Sequence, residues 1–585
     1  MSKRDTRDIR NTRVSGSDTL SDPIAMEVFS NRLLSITEDI GNTLVRSSFS
    51  PNIKERKDCS VALFDGEGRL VAQASHVPLH LASLMGGVKA VLRRYGNGRI
   101  QPGDAFICND PHETGGSHLP DISVINPVVV DGRVRFFAAN VGHHSDVGGR
   151  VPGSIAGDCR TIFEEGLRLP VMRMARAGEI DEDILELVGL NSRSREERIL
   201  DLKVQIASNM RGVTLLESLI DRMGDANVTQ AVDDLLAYTG RRLRNRLAAV
   251  PDGTARAESQ LDDDGLGGDP VPIRAAVTVE GDRLILDFTG TGKAARGAMN
   301  MVESALQATV YYCVKTALDP GLLPNNGMFD GIEIRTEPGS VVSPDRARAV
   351  GARSITCNMV SRAILAALGQ LLPKENAMAA GMDVIPATVF SGPGRSGNDS
   401  FVYVETVGGG SGARADSDGM DAVHVHMTNT SNLPIEALEN EYPLRMVEYG
   451  MVEESGGAGT YRGGLGIARE IMAVEDGVVF SARSDGHEIG APGMDGGGRG
   501  TPGHLWHIRP DGSRTVLSSK AAQVEMRAGE SIRLETPGGG GYGPPSERDS
   551  ALLAADIRGG KFSEAAARVA YGDALVERAL AVSDR

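Results

Sequence analysis

The 585-residue sequence predicts an α+β fold: a mixed, multi-subdomain chain with antiparallel hairpins, a helical middle section and a β-rich, glycine-rich C-terminal part. Three observations carry this. Apolar residues recur at spacings of three and four after Asp22 and again between 180 and 247, the mark of helical faces. Alternating apolar runs joined by short Asp/Gly turns mark hairpins. The chain holds 72 glycines, well above the typical share of about 7%, and clusters them in its last third.

Residues 1–21 read as a flexible tail. Asp22 and Pro23 then open a helix as N-cap and first helical residue, with Phe29, Leu33, Ile36, Ile40 and Leu44 on one face. "SVALFDGEGRLVAQA" reads as a hairpin turning at Asp65–Gly68, and residues 80–95 as a helix. Strand and loop fill 104–150, and helices fill 180–247. The acidic, turn-rich stretch 250–270 reads as a break. It divides an N-terminal domain with its helical section (22–250) from a β-rich domain with glycine-rich loops (251–545). A helical piece is expected near 353–371. A helical C-terminal tail (546–585) closes the chain, with Ser563 starting and Gly572 stopping one helix.

Net charge is −16. No basic footprint for nucleic acid is present, no polybasic run suits an anionic membrane, and no apolar stretch has the length of a span. The five cysteines, Cys59, Cys108, Cys159, Cys313 and Cys357, are far apart and form no CxxC. That pattern fits neither a disulfide framework nor a zinc ribbon. Together with an N-terminus lacking an apolar segment, it predicts a cytoplasmic protein. Phosphate-binding GxxxxGK[ST], HExxH and GxSxG motifs are absent.

Histidines carry more information. Six of the eleven fall between 76 and 144: His76, His80, His112, His118, His143 and His144. "ISVINPVVVDGRVRFFAANVG" reads as two strands around an Asp131-Gly132 turn. An unbroken register pairs Val130 with Arg133 and places Asp121 opposite Gly142, with His143 opposite Pro120. His118 and Asp121 then meet His143 and His144 at the open end of the hairpin, where opposed side chains stand about 5 Å apart. Two imidazoles and a carboxylate form the ligand set of a catalytic Zn²⁺ or Mn²⁺. The competing reading is a polar hairpin mouth with His118 capping backbone groups. His144 and Asp146 fit supporting or solvent-facing positions, and Asp110 and His112 fit loop stabilisation. Asp58 suits either a fourth ligand or an ion pair with Arg56. His76 and His80 suit helix capping or packing, or a substrate pocket. A His₂–carboxylate site binds metal in its deprotonated form, so retention is expected to fall on acidification through the imidazole range. The glycine clusters at 455–470 and 535–545 suit close backbone approaches or anion cradles, with Tyr461 and Arg462 as substrate or interface candidates.

Five stretches carry a resemblance: "ERKDCSVALFDGEGRLVAQASHVPLHLASL", "NDPHETGGSHLPDISVINPV", "GHHSDVGG", "NTSNLPIEALENEYPLRM" and "SGGAGTYRGGLGIAREI". Together they resemble the hydantoinase B/oxoprolinase family from about residue 23 to 570. The resemblance implies one half of an ATP-dependent enzyme acting on a small cyclic amide or imide. Its expected partner is a hydantoinase A-like subunit that binds ATP and Mg²⁺, in a hetero-oligomer such as α2β2. It implies a divalent metal, Zn or Mn, on His118, Asp121 and His143, with Asp58 as the extra carboxylate. His144 completes the candidate catalytic set of His118, Asp121 and His143. In the implied reaction the partner phosphorylates the amide oxygen and this chain completes hydrolysis. The length matches a separate B-type chain rather than a fused oxoprolinase. The alternatives are an α-type subunit of an acetone- or acetophenone-type carboxylase, and a non-catalytic scaffold subunit with a structural metal.

Overall fold

The computed structural model describes residues 22–74, 76–395 and 400–583, so the tail assigned to 1–21 lies outside the described residues. Helix α1 (Pro23–Ser47) starts as its sequence requires. The Asp22 side chain accepts from Ile24 N, Pro23 stands at the first position, and Phe29, Leu33, Ile36, Ile40 and Leu44 are buried.

The first sheet contains β1 (Cys59–Asp65), β2 (Leu70–Gln73), β3 (Ala105–Cys108), β4 (Asp121–Val130), β5 (Arg133–His143), β6 (Met172–Arg176) and β7 (Glu179–Ile180). Its order is β2-β1-β5-β4-β3-β6-β7. The β4–β5 hairpin turns at Asp131 and Gly132, both at positive φ. Near the turn the expected register holds, with Val130 opposite Arg133. It then shifts between Val128 and Val129, and Val128 meets Phe136. Arg135 is the extra residue of a β-bulge, and its guanidinium pairs with Asp225. This corrects the register at the mouth: Asp121 faces His143, not Gly142.

Helices α2 (Pro51–Lys54), α3 (His80–Tyr95), α4 (Glu182–Leu190), α5 (Arg195–Met223) and α6 (Asp225–Leu247) follow. The sheet is covered on both faces. Leu33 and Ile40 of α1 and Leu216 of α5 share a core with Val61, Leu63, Phe136 and Ala138. On the other face α3 packs so closely that a Cβ on Gly87 would stand 3.0 Å from Ile125 Cδ1.

The second sheet has the order β11-β10-β9-β8, from β8 (Gly253–Leu261), β9 (Val271–Glu280), β10 (Arg283–Asp287) and β11 (Ile332–Arg335). The stretch read as a break at 250–270 thus contains a strand, whose Ala255, Ser259 and Leu261 point inward. Helix α8 (Arg353–Leu371) packs on this layer, and α7 (Glu303–Leu318) packs between α8 and α3. One hydrophobic cluster runs from Ala62 to Met427, across the 250/251 division.

Beyond residue 386 come β12 (Ala387–Pro393), β13 (Ser400–Thr406), β14 (Leu444–Met451), β15 (Ile467–Ala473), β16 (Val478–Arg483), β17 (His504–Ile508), β18 (Arg514–Val516), β19 (Val524–Met526) and β20 (Ser531–Glu535). They form sheets of order β13-β12-β16-β19 and β14-β15-β20-β17-β18. Helix α9 (Ile435–Glu441) lies among them, and α10 (Ser550–Arg558), α11 (Glu564–Tyr571) and α12 (Asp573–Ser583) end the described chain. Ser563 caps α11 and Gly572, at φ 85°, stops it.

The glycine clusters interleave with one another. Gly457 N donates to Gly539 O, Gly539 N to Gly464 O, Gly464 N to Ser411 O, and Gly541 N to Gly498 O. A Cβ on Gly463 would stand 1.9 Å from Gly539 O, so no larger residue fits. These amides are bonded to neighbouring carbonyls, which favours close approach over an anion cradle. Arg462 is buried in an ion pair with Asp421 (2.9 Å), and Tyr461 bridges to Tyr542.

Buried Glu165 holds the entry to α8. Its carboxyl accepts from Val350 N (3.0 Å) and Gly351 N (2.6 Å), immediately before the helix. Burial pushes its pKa up to about 8, against the downward pull of those amides and of Arg353. A folded-state pKa above the unfolded value gives stability that is complete below about 4.5 and lost as pH rises through about 8. Glu165→Gln keeps an acceptor and removes the titration. Thermal melts from pH 5 to 9 should show wild type losing stability relative to Glu165→Gln by up to about 1.4 kcal/mol per pH unit. Equal slopes in the two proteins would contradict the assignment.

Candidate metal centre

Three adjacent strands end in a row. Asp121 opens β4, His143 closes β5 directly opposite it, and Asp58 precedes β1, where its carbonyl accepts from His143 N at 2.9 Å. Cys59 pairs with Gly142, so Asp58 continues the row. Strands stand about 4.8 Å apart, and alternation turns all three side chains to the α3 face. His118 joins from the loop before β4.

That loop depends on its glycines. Gly115 has φ 74°, and a Cβ on it would stand 2.8 Å from Gly86 Cα of α3. A Cβ on Gly116 would stand 2.3 Å from Asn109 O. The chain therefore slides between α3 and the end of β3, and Ser117 N docks on Ser83 Oγ (2.9 Å). Asp110 accepts from His112 N and Glu113 N (both 2.9 Å) and pairs with Arg168 (2.6 Å), which stabilises the loop as its sequence implies. His112 is turned away, against Arg348 O.

His118, Asp121 and His143 are buried, and one ligand atom from each lies within 4.8 Å of the others. His118 Nε2 is 3.0 Å from Asp121 Oδ1, and the two imidazole rings stand 5.0 Å apart between centroids. Asp58 stands beside this group, with Oδ2 4.0 Å from His143 Nδ1 and 3.9 Å from Arg56 Nη2. Both readings of Asp58 thus meet at one place. His144 follows the strand's alternation to the opposite face and bonds Gln205 of α5 at 3.0 Å. Asp146 is buried against Arg193 (2.9 Å). Neither joins the trio.

Three further residues belong to the centre without a clear sequence signal. His80, whose position suits capping, packing or a substrate pocket, reaches the carboxylates. Its Nε2 lies 3.5 Å from Asp58 Oδ1 and 3.6 Å from Asp121 Oδ1, while Nδ1 meets Ser60 Oγ at 3.1 Å. Arg353, the first residue of α8, donates to Asp121 Oδ2 at 2.8 Å and to Ser117 Oγ at 2.7 Å. Ser117 also donates to Asp121 Oδ2. Only the proximity of His80 to His76 in a histidine-rich stretch hints at this; Arg353 is 232 residues from its partner.

The electrostatics suit a cation. Burial, then the positive charge of Arg353, lowers His118 to about 3. Burial, followed by His118, holds His143 well below the ordinary imidazole value. Both rings are neutral near pH 7, with lone pairs available. Burial favours the neutral acid at Asp121, but His118, His80 and Arg353 outweigh it and hold the carboxyl well below its usual range. Burial dominates at Asp58 and raises its pKa, despite His80 and Arg56. Beside the trio, Asn52 Nδ2 lies 2.9 Å from His143 Nδ1 and donates to His143 O at 2.7 Å. Arg56 donates to Asn52 Oδ1 and fixes that carboxamide. His118 Nδ1 is buried and has no hydrogen-bond partner among the described residues. Two neutral imidazoles and an ionised carboxylate, all buried, fit a divalent ion such as Zn²⁺ or Mn²⁺.

Comparison with known proteins points to one family. The family model for hydantoinase B/oxoprolinase matches residues 22–545. A 5-oxoprolinase of Arabidopsis thaliana is 34% identical over 90% of this chain, which spans only 42% of that protein's length. A chain of Pseudomonas sp., named as a D-/L-hydantoinase subunit of the B type, is 30% identical, covering 95% of this chain and 96% of its own. The crystal structure of an ATP-dependent caprolactamase from Pseudomonas jessenii superposes with a TM-score of 0.86 at 27% identity, over 94% of this chain and 96% of that one. A nucleotide-free acetone carboxylase structure shares the fold, with a TM-score of 0.88 at 20% identity over 97% and 83% of the two chains. The five stretches that resemble the family, the matched span and the shared architecture converge: the chain belongs to the hydantoinase B/oxoprolinase family.

Proposed function

We propose that this chain is the metal-bearing B-type subunit of an ATP-dependent hydrolase of cyclic amides or imides, acting on a substrate that an A-type partner has phosphorylated. The observation that carries the reading is the group of His118, Asp121 and His143 at the strand ends, buried and charge-matched to a divalent ion. The caprolactamase likeness and the hydantoinase relative support an amide-hydrolysing class. The acetone carboxylase likeness, at 20% identity, supports the fold and does not favour a carboxylase. The absence of a nucleotide motif in this sequence accords with ATP bound on a partner subunit, in an assembly such as α2β2.

His118, Asp121 and His143 would hold the ion, which when bound supplies Lewis-acid polarisation of an oxygen or a more acidic water. The protein's own groups do the rest. Arg353 and Ser117 occupy Asp121 Oδ2 and leave Oδ1 directed at His118. Asn52 steadies the His143 ring. Asp58, its pKa raised, is suited to carry a proton at Oδ1 or Oδ2 to the departing amine. His80 bridges Asp58 and Asp121 and offers the path between them. Asp58 fits this proton-transfer role better than that of a further ligand.

The test is reconstitution with an A-type subunit, assaying ATP-dependent opening of 5-oxoproline, hydantoin and caprolactam. His118→Ala and His143→Ala should each lose the ion by elemental analysis and lower turnover by at least about 10³-fold, on the scale of losing a metal-generated nucleophile. His144→Ala should keep the ion. Full metal occupancy in both ligand variants would overturn the site, and metal loss with unchanged turnover would leave a structural metal.

Acidification provides a second test. Protons compete for His118 only near its lowered pKa of about 3, so the burial seen here moves release below the imidazole range expected from sequence. Dialysis at about pH 5 should leave the ion bound, with release as pH approaches about 3 to 4. Complete release from folded protein at about pH 6, near the ordinary imidazole value, would contradict this.

A further inference from the structure

Hydrogen bonds around His143 fix which way a neighbouring carboxamide points. Asn52, in α2, is 2% exposed. Arg56 donates to its Oδ1, and its Nδ2 donates to His143 O at 2.7 Å. Turned over, the amide would set oxygen against oxygen and NH₂ against guanidinium, so the NH₂ faces the histidine. The same Nδ2 lies 2.9 Å from His143 Nδ1. That ring nitrogen therefore accepts, and the single proton of the neutral imidazole stands on Nε2.

This bond and an ion on His143 exclude each other. An ion needs a bare ring nitrogen. At Nδ1 it would take the lone pair that Asn52 uses. At Nε2 it would leave the proton on Nδ1, where N–H would meet NH₂, donor against donor. A metal-bound histidine normally gives its other N–H to an acceptor, and the Asn52 NH₂ is not one.

The surroundings let Asn52 yield. Asn52, Arg56, Ser145 and Glu197 line a small cavity with room for about one water. Ser145 is 5% exposed, yet its Oγ has no hydrogen-bond partner among the described residues. It offers an acceptor to a carboxamide turned that way. Arg56 does not depend on Asn52 for its place, because it also donates to Val404 O and to Thr406 Oγ1 (2.8 Å) of β13.

We infer that Asn52 competes with the ion for the His143 imidazole and turns into this cavity when the ion binds. The inference rests on the metal centre proposed above and adds the residue that sets how tightly the ion is held. A bond that must break on loading lowers the apparent affinity by its own strength.

The experiment measures zinc affinity of the full purified chain at neutral pH by competition with a chelator. Asn52→Leu matches the carboxamide in shape and removes its hydrogen bonds. It should bind zinc about three- to tenfold more tightly than wild type, the scale of one competing hydrogen bond. A residue that only supported the ring would give the opposite sign. Affinity within about twofold of wild type, or weaker binding by the folded variant, would overturn the inference. A second measurement needs no variant. Crystals of the wild-type chain loaded with zinc should show the Asn52 carboxamide more than about 3.5 Å from His143 Nδ1, turned toward Ser145. A carboxamide still at hydrogen-bond distance from a zinc-bound His143 ring would overturn it. No zinc on the wild-type chain would remove the metal reading and this inference together. Zinc on the wild type with either contrary result removes this inference alone.

Discussion

The direct opposition of Asp121 and His143 across β4–β5 is the constraint on which the rest of the site depends. Strand alternation turns every second residue to one face, so a shift of one position would send His143 to the α5 side and bring His144 in its place. The bulge at Arg135, pinned by Asp225, sets this register some eight residues from the mouth. A surface ion pair is worth little energy by itself; here its consequence is geometric. β1 extends the row to Asp58, and the glycine loop between α3 and β3 brings His118 to the same point.

Burial then decides the chemistry. A carboxylate and two imidazoles removed from water are costly unless their charges and lone pairs are matched. Arg353 matches Asp121 from α8, and Glu165, a mostly neutral acid near pH 7, holds the backbone where α8 begins. The centre is thus assembled from two layers, the strand ends of the first sheet and the N-terminus of a helix packed on the second. The interleaved glycines of the C-terminal part do a different job. Their amides bond one another's carbonyls, which lets four loop segments stack at backbone contact distance.

Much of this was legible in the sequence, and the limits have physical causes. The cap at Asp22, the helix from His80, the stop at Gly572 and the helix after Arg353 follow from local chemistry, which a sequence displays. The meeting of His118, Asp121 and His143 was legible because a hairpin makes distant residues neighbours by counting. The residue-by-residue pairing was not, since a bulge is decided by side-chain anchoring from another element. β8 hid in an acidic stretch because a half-exposed strand carries charged residues on its open face. Arg353, Ser117 and the bridging place of His80 depend on tertiary approach and left no periodic trace. The family resemblance supplied the ligand assignment, while the structure supplies the arrangement that makes it chemically reasonable.

The proposed function requires one divalent ion among His118, Asp121 and His143. Anomalous diffraction from crystals of the purified chain, collected across the absorption edges of zinc and manganese, addresses it most directly. A single anomalous peak bonded to all three residues at about 2.0 to 2.2 Å is expected, with His118 no longer hydrogen-bonded directly to Asp121. Ordered side chains with no anomalous peak between them, or an ion held elsewhere while His118 and Asp121 remain in direct contact, would contradict it.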